Sequence, residues 1–309
     1  MTIRQLEYII ALDNYRQFVS AAAHCHVSQP TLSVQVKKLE DEIGVQIFDR
    51  FKAPIEPTIA GEQIILKARQ ILREIEQLQA FVSSETELTE GTFTLGVIPT
   101  LAPYLLPVFL PAFVKENPNI HLIIQELQTD QIITQLEKGM IDLGLLVTPL
   151  EEKAIREIAL FNEPFLLYLN KDHPLYQTKN VSPTLIDTEG LLVLEEGHCF
   201  RDQALEICKR RTKKTTIGFE YESGSIEALK GLVRQGFGYT LVPELSVIDE
   251  LESGGVIRFS QPEPIREVSI VVHHSFTKEG LIEKLRASIL KSIPERFNQI
   301  RHFQKVRWR

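Results

Sequence analysis

Between residues 59 and 88 a single helical pattern runs unbroken, with apolar side chains at Ile64, Ala68, Ile71, Ile75, Leu78 and Val82. The steps between them are 4, 3, 4, 3 and 4 residues. A lone helix repeats its apolar face about every 3.6 residues, whereas a sustained repeat of about 3.5 forms a narrow seam that needs a second helix along it. No partner seam stands elsewhere in the sequence, so the helix is expected to pair with its own copy in a homodimer. The plainer alternative is a helix packed on its own domain. Either way it divides the 309 residues into a short helical part before it and a longer part after it.

The part before it, residues 1–58, reads as short helices. Leu6, Ile9 and Ile10 sit at helical spacing, and Phe18, Ala21 and Ala22 repeat the pattern. In "HVSQPTLSVQVKKLEDEIG", Ser28 is a good helix cap and Pro30 is tolerated in a first turn. Leu32, Val36, Leu39 and Ile43 then form one buried stripe, and Gly44 ends the helix. Two such helices joined by a small turn at His24–Ser28 make a helix-turn-helix, whose second helix presents its start to the DNA major groove. Gln29, Thr31 and Ser33 can bond base edges or phosphates, and Lys37 and Lys38 lie away from the stripe. An ordinary helical hairpin fits the pattern too. The net charge of −7 gives no hint of a nucleic-acid partner, and residues 1–58 hold six Lys/Arg against seven Asp/Glu. Folding would have to gather Lys37, Lys38, Arg50 and Lys52 on one side.

After the polar "SSETELTEG" the pattern changes to alternating strands and helices: "FTLGVIP", a helix over Leu105–Lys115, "HLIIQEL", a helix over Ile132–Lys138, and "IDLGLLV". A second set follows in "PFLLYLN", "LLVLE", "TIGFEYES", a helix over Ile226–Gln235 and "YTLVPE", before the return strand "EVSIVVHH" and a last helix from Glu279. This is open α/β architecture with largely parallel strands in two lobes. A ligand crevice is expected at the strand ends near Pro99, Thr100, Gln128 and Thr129. No phosphate loop, dinucleotide fingerprint, metalloprotease helix or nucleophile elbow occurs, and no apolar run would span a bilayer. The expectation is a cytoplasmic protein that is not an enzyme, with no cofactor and no membrane partner.

Three cysteines in a chain of this length are no disulfide framework. Cys25 sits between His24 and His26, but consecutive helical side chains diverge by about 100° and cannot share one ion, so it reads as a small buried hydrophobe. Cys199 and Cys208 differ from each other. Phe200, Ala204, Ile207 and Cys208 share a helical face, which buries the second thiol. Cys199 lies at that helix's start after Gly197, where unpaired amides, His198, Arg201 or a folded-in arginine would favour a thiolate. If the segment is helical, roughly 13 Å separates the two Cα atoms, and a disulfide tolerates about 7 Å. A bond between them requires the segment to unwind. A pair of inert core thiols remains open on these residues alone, and the spacing matches no recurrent metal site.

"RQLEYIIAL", "AAAHCHVSQPTLSVQVKKLEDEIGVQIFDR" and "PTIAGE" resemble the winged helix-turn-helix of LysR-type transcriptional regulators. The resemblance implies a recognition helix over residues 29–38, with Gln29, Pro30, Thr31, Ser33, Lys37 and Lys38 at double-stranded DNA. It also implies a wing at Phe51–Pro54 that brings Lys52 to the backbone. "LEEGHCFRDQALEIC", "IPTLAPYLLP" and "QTDQIITQLEKGMIDL" carry it further, to the OxyR branch of that family, the bacterial hydrogen-peroxide sensors. By that resemblance Cys199 is the peroxidatic residue and Cys208 the resolving one, Thr100, Thr129 and His198 line the peroxide pocket, and Arg266 supports the thiolate. A cellular dithiol would reset the switch, and the homodimer would assemble further into a homotetramer.

The implied architecture is a winged helix-turn-helix at 1–58, a coiled-coil linker helix and hinge at 59–90, and a two-lobed α/β effector domain of the periplasmic-binding-protein type at 91–309. Lobe I takes 91–164 and 267–309, lobe II takes 165–266, and the tail from Phe297 reads as a basic solvated end. Two rivals keep the fold or the thiols: a LysR-type regulator sensing a small organic acid, and a thiol peroxidase.

Overall fold

The computed structural model describes residues 1–82, 90–176, 178–186, 190–208, 223–251, 254–300 and 302–307, and it divides into two compact units. In the first unit, helix α1 (Ile3–Tyr15) opens with a reciprocal cap. Gln5 N–H donates to the Thr2 hydroxyl, and Thr2 N–H donates to the Gln5 side chain. Helices α2 (Phe18–His24) and α3 (Gln29–Ile43) follow. Ser28 caps α3 by accepting the Thr31 N–H, and Gly44 ends it at φ +70°, where a side chain would be strained. The stripe Leu32, Val36 and Leu39 is buried against Leu6, Ile9 and Leu12, with Ile43 at its margin.

Strands β1 (Phe48–Asp49) and β2 (Glu56–Pro57) pair antiparallel as a short wing with Phe51 fully exposed at its tip. Its root is held by Glu40, a buried carboxylate of α3. Ile47 and Phe48 donate their N–H groups to one oxygen at 2.9 and 3.2 Å, and Arg50 pairs with the other at 2.7 Å. Arg50 is thereby committed within the domain, and Lys52 pairs with Glu56 on the surface. The cations expected to gather at the DNA face therefore reduce to the exposed Lys37 and Lys38, with Lys52 beside a carboxylate.

Helix α4 (Ile59–Val82) corrects part of the seam. Ala68 is buried in the domain's own core beside Ile65, and Ile64 packs against that core. Ile71 and Leu78 stay exposed, Ile75 is half-buried, and the Val82 side chain lies outside the described residues, as does the expected helix beyond it. Over one or two turns a 3.5- and a 3.6-residue stripe coincide, so the start of the seam doubles as a domain face. Arg69, also buried, pairs with Asp13 at 2.9 Å.

The second unit is built on one sheet in the order β4 (Ile120–Glu126), β3 (Gly91–Val97), β5 (Leu143–Thr148), β11 (Glu263–His273), β6 (Ile155–Tyr168), β10 (Val256–Phe259) and β7 (Asn180–Val181). Strand β9 (Tyr239–Pro243) also pairs with β6, and β8 (Leu191–Leu192) with β9. The expectation of largely parallel strands holds only for the outer pairs. Strand β3 runs parallel to β4 and β5, but β6 and β11 are antiparallel to each other, β11 is antiparallel to β5, and β6 to β9 and β10. These two long strands pass through both lobes. Along β6 burial is interrupted at first and then becomes continuous from Glu163, as covering elements change from one face to both.

Helices α5 (Ala102–Glu116) and α9 (Glu279–Ser292) pack together on lobe I. Helix α6 (Thr129–Glu137) lies tight on the sheet, because a Cβ at Gly144 would stand 2.6 Å from Ile132 and 2.7 Å from Val271. Lobe II carries α7 (Cys199–Ile207) and α8 (Ile226–Arg234) around a core that includes Phe165, Phe200, Cys208 and Val233. Of the expected strand "TIGFEYES", residues 216–222 lie outside the described residues. The tail is solvated only in part, with residues 302–305 exposed between two buried anchors. Phe297 is buried against Phe161, β12 (Phe303–Lys305) pairs with β11, and Val306 sits in the lobe II core.

Glu40→Ala leaves the Ile47 and Phe48 amides without their acceptor and should lower unfolding stability by about 2–4 kcal/mol in urea titrations. Glu40→Gln, which keeps the acceptor oxygen, should cost less.

Candidate functional site

Where β6 and β11 cross between the lobes, Glu163 and Arg266 are register partners on adjacent strands. Both are deeply buried, Glu163 at 0% and Arg266 at 1% exposure. Arg266 donates from Nε to Glu163 Oε2 at 2.9 Å, from Nη1 to Thr100 Oγ1 at 3.0 Å and from Nη2 to the Thr100 carbonyl at 3.1 Å. Its guanidinium lies 5.6 Å from the Phe200 ring centroid. The second Glu163 oxygen accepts the Leu245 N–H at 2.9 Å. An isolated buried guanidinium would be very unfavourable; this one faces a carboxylate, a hydroxyl, a carbonyl and a ring. Burial pushes the Glu163 carboxyl up, and the Arg266 charge pulls it back.

Cys199 is the first residue of α7, with His198 as the cap residue and no side-chain cap bond there. Its thiol hydrogen-bonds the side chain of Thr129, the first residue of α6. Two helix starts therefore converge on one sulfur, and Arg266 supplies a full positive charge nearby. The helix-start reading alone implied a thiol shifted down. At 4% exposure the larger effect is burial, which pushes the thiol up, while Arg266, Thr129 and the Phe200 backbone N–H pull it back. The arrangement holds Cys199 as a protected thiol, with the groups that would stabilise its thiolate already in place.

The sequence-expected residues divide. Thr100, Thr129, Cys199 and Arg266 come together. His198 is buried beside Cys199, but its Nε2 lies 3.5 Å from Glu195 Oε1 and close to where a Gly224 side chain would be. Arg201 donates to the Leu194 carbonyl at 2.9 Å and is not the cation at the thiol. Cys208 ends the same helix, buried in the lobe II core, and all three cysteines are thiols rather than disulfides. Gln128 lies against the Gly197 loop, so the two lobes meet just before Cys199. Among the described residues no three His, Cys, Asp or Glu side chains group as metal ligands, and no helix is long and apolar enough to cross a membrane. In the first unit Gln29, Pro30, Thr31, Lys37, Lys38 and Lys52 are exposed and Ser33 is half-buried.

Sequence reasoning missed Glu163 and Gln203. Glu163 is a lone carboxylate inside the apolar run "LFNEPFLLYL", a signal that a buried partner must exist. Gln203, one turn after Cys199, carries no such mark.

Reagent size should separate the thiols. A bulky maleimide is expected to label half-exposed Cys25 first, and a reagent as small as hydrogen peroxide to oxidise Cys199 first, with a rate rising about tenfold per pH unit below the thiol's pKa. Peptide mapping reads both, and peroxide oxidation led by Cys25 would contradict the assignment of the site.

Two family matches cover most of the chain: the LysR substrate binding domain over residues 86–293, and the bacterial regulatory helix-turn-helix protein, lysR family, over residues 3–62. The chain is 39% identical over 291 residues to the hydrogen peroxide-inducible genes activator of Pectobacterium carotovorum subsp. carotovorum, covering 94% of this chain and 96% of that one. A full-length OxyR variant from Pseudomonas aeruginosa superposes with a TM-score of 0.82 at 36% identity, covering 94% of each chain. A variant of OxyR from Corynebacterium glutamicum with hydrogen peroxide bound gives a TM-score of 0.62 at 27% identity, covering 98% of this chain and 97% of that one. With both halves of the architecture matched and the converging helix starts in place, the chain belongs to the LysR family of bacterial transcriptional regulators, in its OxyR branch.

Proposed function

We propose that this DNA-binding regulator is switched by hydrogen peroxide, with Cys199 as the oxidised atom and Cys208 as its disulfide partner. The observation that carries the reading is one helix bounded by two thiols, its first residue held at Thr129 and Arg266 and its last in the lobe core. In the first step the Cys199 thiolate sulfur attacks one peroxide oxygen. The O–O bond breaks, the leaving hydroxide takes a proton and departs as water, and sulfur is left as a sulfenic acid. Thr100, Thr129 and His198 would hold the peroxide, and Arg266 would stabilise the charge moving from sulfur to oxygen. In the second step the Cys208 sulfur attacks the Cys199 sulfur, the S–O bond breaks, and the hydroxyl leaves with a proton as a second water. A dithiol reductant returns both thiols and is itself oxidised to a disulfide.

Cys199 opens the nine-residue helix and Cys208 follows it as the cap, nine positions on. At about 1.5 Å rise per residue the Cα atoms must close from roughly 13 Å to below about 7 Å, so α7 has to unwind. That rearrangement is the signal. It remodels the lobe surface, and the change reaches paired DNA-binding units through a dimer in which a second copy covers Ile71, Ile75 and Leu78. On α3, Gln29, Thr31 and Ser33 would read base edges while Lys37 and Lys38 hold phosphates.

Mass spectrometry after peroxide treatment should find one intramolecular link, Cys199 to Cys208, with Cys25 unlinked. Cys208→Ser should stop at a trappable sulfenic acid on Cys199, and Cys199→Ser should react at neither step. A Cys199→Ser protein that still answers peroxide at its promoters would overturn the proposal. Lys38→Ala should weaken binding to all DNA sequences alike and reduce the slope of log affinity against log salt by about one.

A further inference from the structure

We infer that the C-terminal strand and Val306 form a clasp on α7 that oxidation releases. This rests on the sensing reading above. The clasp is visible in the two backbone bonds of a single residue. Val306 N–H donates to the Ile265 carbonyl at 2.9 Å, next to Arg266 on β11. The Val306 carbonyl accepts from Gln203 Nε2 at 2.8 Å, one helical turn beyond Cys199 on α7. Val306 therefore ties the strand that carries the arginine to the helix that carries the reactive thiol. Its side chain is 3% exposed, in the same core as Cys208, Ile207 and Phe200.

Gln203 is fully buried, and among the described residues its other amide atom, Oε1, has no hydrogen-bond partner. A half-satisfied buried amide is an unfavourable way to fill a core position. It holds α7 through one bond while leaving an acceptor that gains water once the helix opens. Unwinding of residues 200–207 must break the bond to Val306, which removes one of that residue's two backbone ties. The anchors that remain are the Val306 to Ile265 backbone bond, the Val306 side chain in the lobe II core, the short β12 ladder, and the pairs of Lys305 with Glu267 at 2.6 Å and Arg307 with Glu151 at 3.7 Å. Reciprocity then requires that loosening the tail eases unwinding. Release of the tail uncovers the β11 edge at Glu263–Ile265 and makes that edge a second surface altered by the disulfide. Gln203 is a positioning residue here; it touches neither peroxide nor the reacting sulfurs.

The test uses the full-length protein and reads two quantities. Hydrogen exchange of the peptide containing Val306 is measured in the reduced protein, in Cys208→Ser halted at the sulfenic acid, and in the disulfide form. The tail should stay protected in the first two states and exchange at least about tenfold faster in the third. The rates of both oxidation steps are measured by stopped flow in Lys305→Glu, which sets a like charge against Glu267. Disulfide closure should quicken about two- to fivefold while sulfenic acid formation is unchanged. Equal tail protection in the reduced and disulfide forms, or an unchanged closure rate in Lys305→Glu, would overturn the clasp and leave the sensing reading standing. Absence of any Cys199–Cys208 link in the parent protein would remove the sensing reading and the clasp together.

Discussion

The site depends on a charge pair at the place where two strands pass from one lobe to the other. Strands β6 and β11 are the long crossing strands of both lobes, and their cross-strand partners Glu163 and Arg266 face each other in the dry interior. Removing either charge leaves the other buried and unpaired, at a cost of about 3–5 kcal/mol. The pair is held from three directions: Thr100 from the end of β3, Leu245 from the turn after β9, and Phe200 from α7. One guanidinium thus fixes the relative position of a lobe I loop and the helix that carries Cys199. The arginine that pairs with Glu163 at the crossing is the one whose charge acts on the Cys199 sulfur.

Cys199 sits in an environment of opposed effects. Burial pushes its thiol up and shields it from large reagents, whereas two helix starts and one arginine favour negative charge on the sulfur, the charge that the proposed reaction with peroxide needs. Ground-state protection and transition-state stabilisation are compatible because the groups that help are preorganised and the reagent is small. The second thiol is placed by the helix itself. Cys208 is held at the far end of α7 by the lobe core, so the proposed disulfide could not form without melting what lies between.

Local chemistry made much of this legible. Ser28, the stripe Leu32, Val36 and Leu39, and Gly44 specify α3 from a few consecutive residues, and the structure follows them. The crossing near Pro164 and Arg266 was implied by the family resemblance and not by the local pattern; in the structure Pro164 pairs with Ile265. Longer-range features were not legible. Strand direction leaves no trace in a local pattern, so the antiparallel crossing strands were expected to be parallel. Ala68 fits both a 3.5- and a 3.6-residue stripe, and only the neighbouring α1 decides that it belongs to its own core. Glu163 lies 103 positions from Arg266, and Gln203 the same distance from Val306; neither pairing is encoded near either residue. The tail looked solvated because its basic composition conceals two buried anchors, Phe297 and Val306.

The most direct test of this account removes the charge pair without leaving an orphan. In a Glu163→Leu, Arg266→Met double variant, confirmed folded by its unfolding transition, the rate of Cys199 sulfenic acid formation is measured against pH at fixed peroxide. If Arg266 is what stabilises the developing charge, the pH profile shifts to more alkaline values and the rate at neutral pH falls at least about tenfold. A profile and rate matching the parent protein would contradict the claim that the crossing-strand pair sets the chemistry of Cys199.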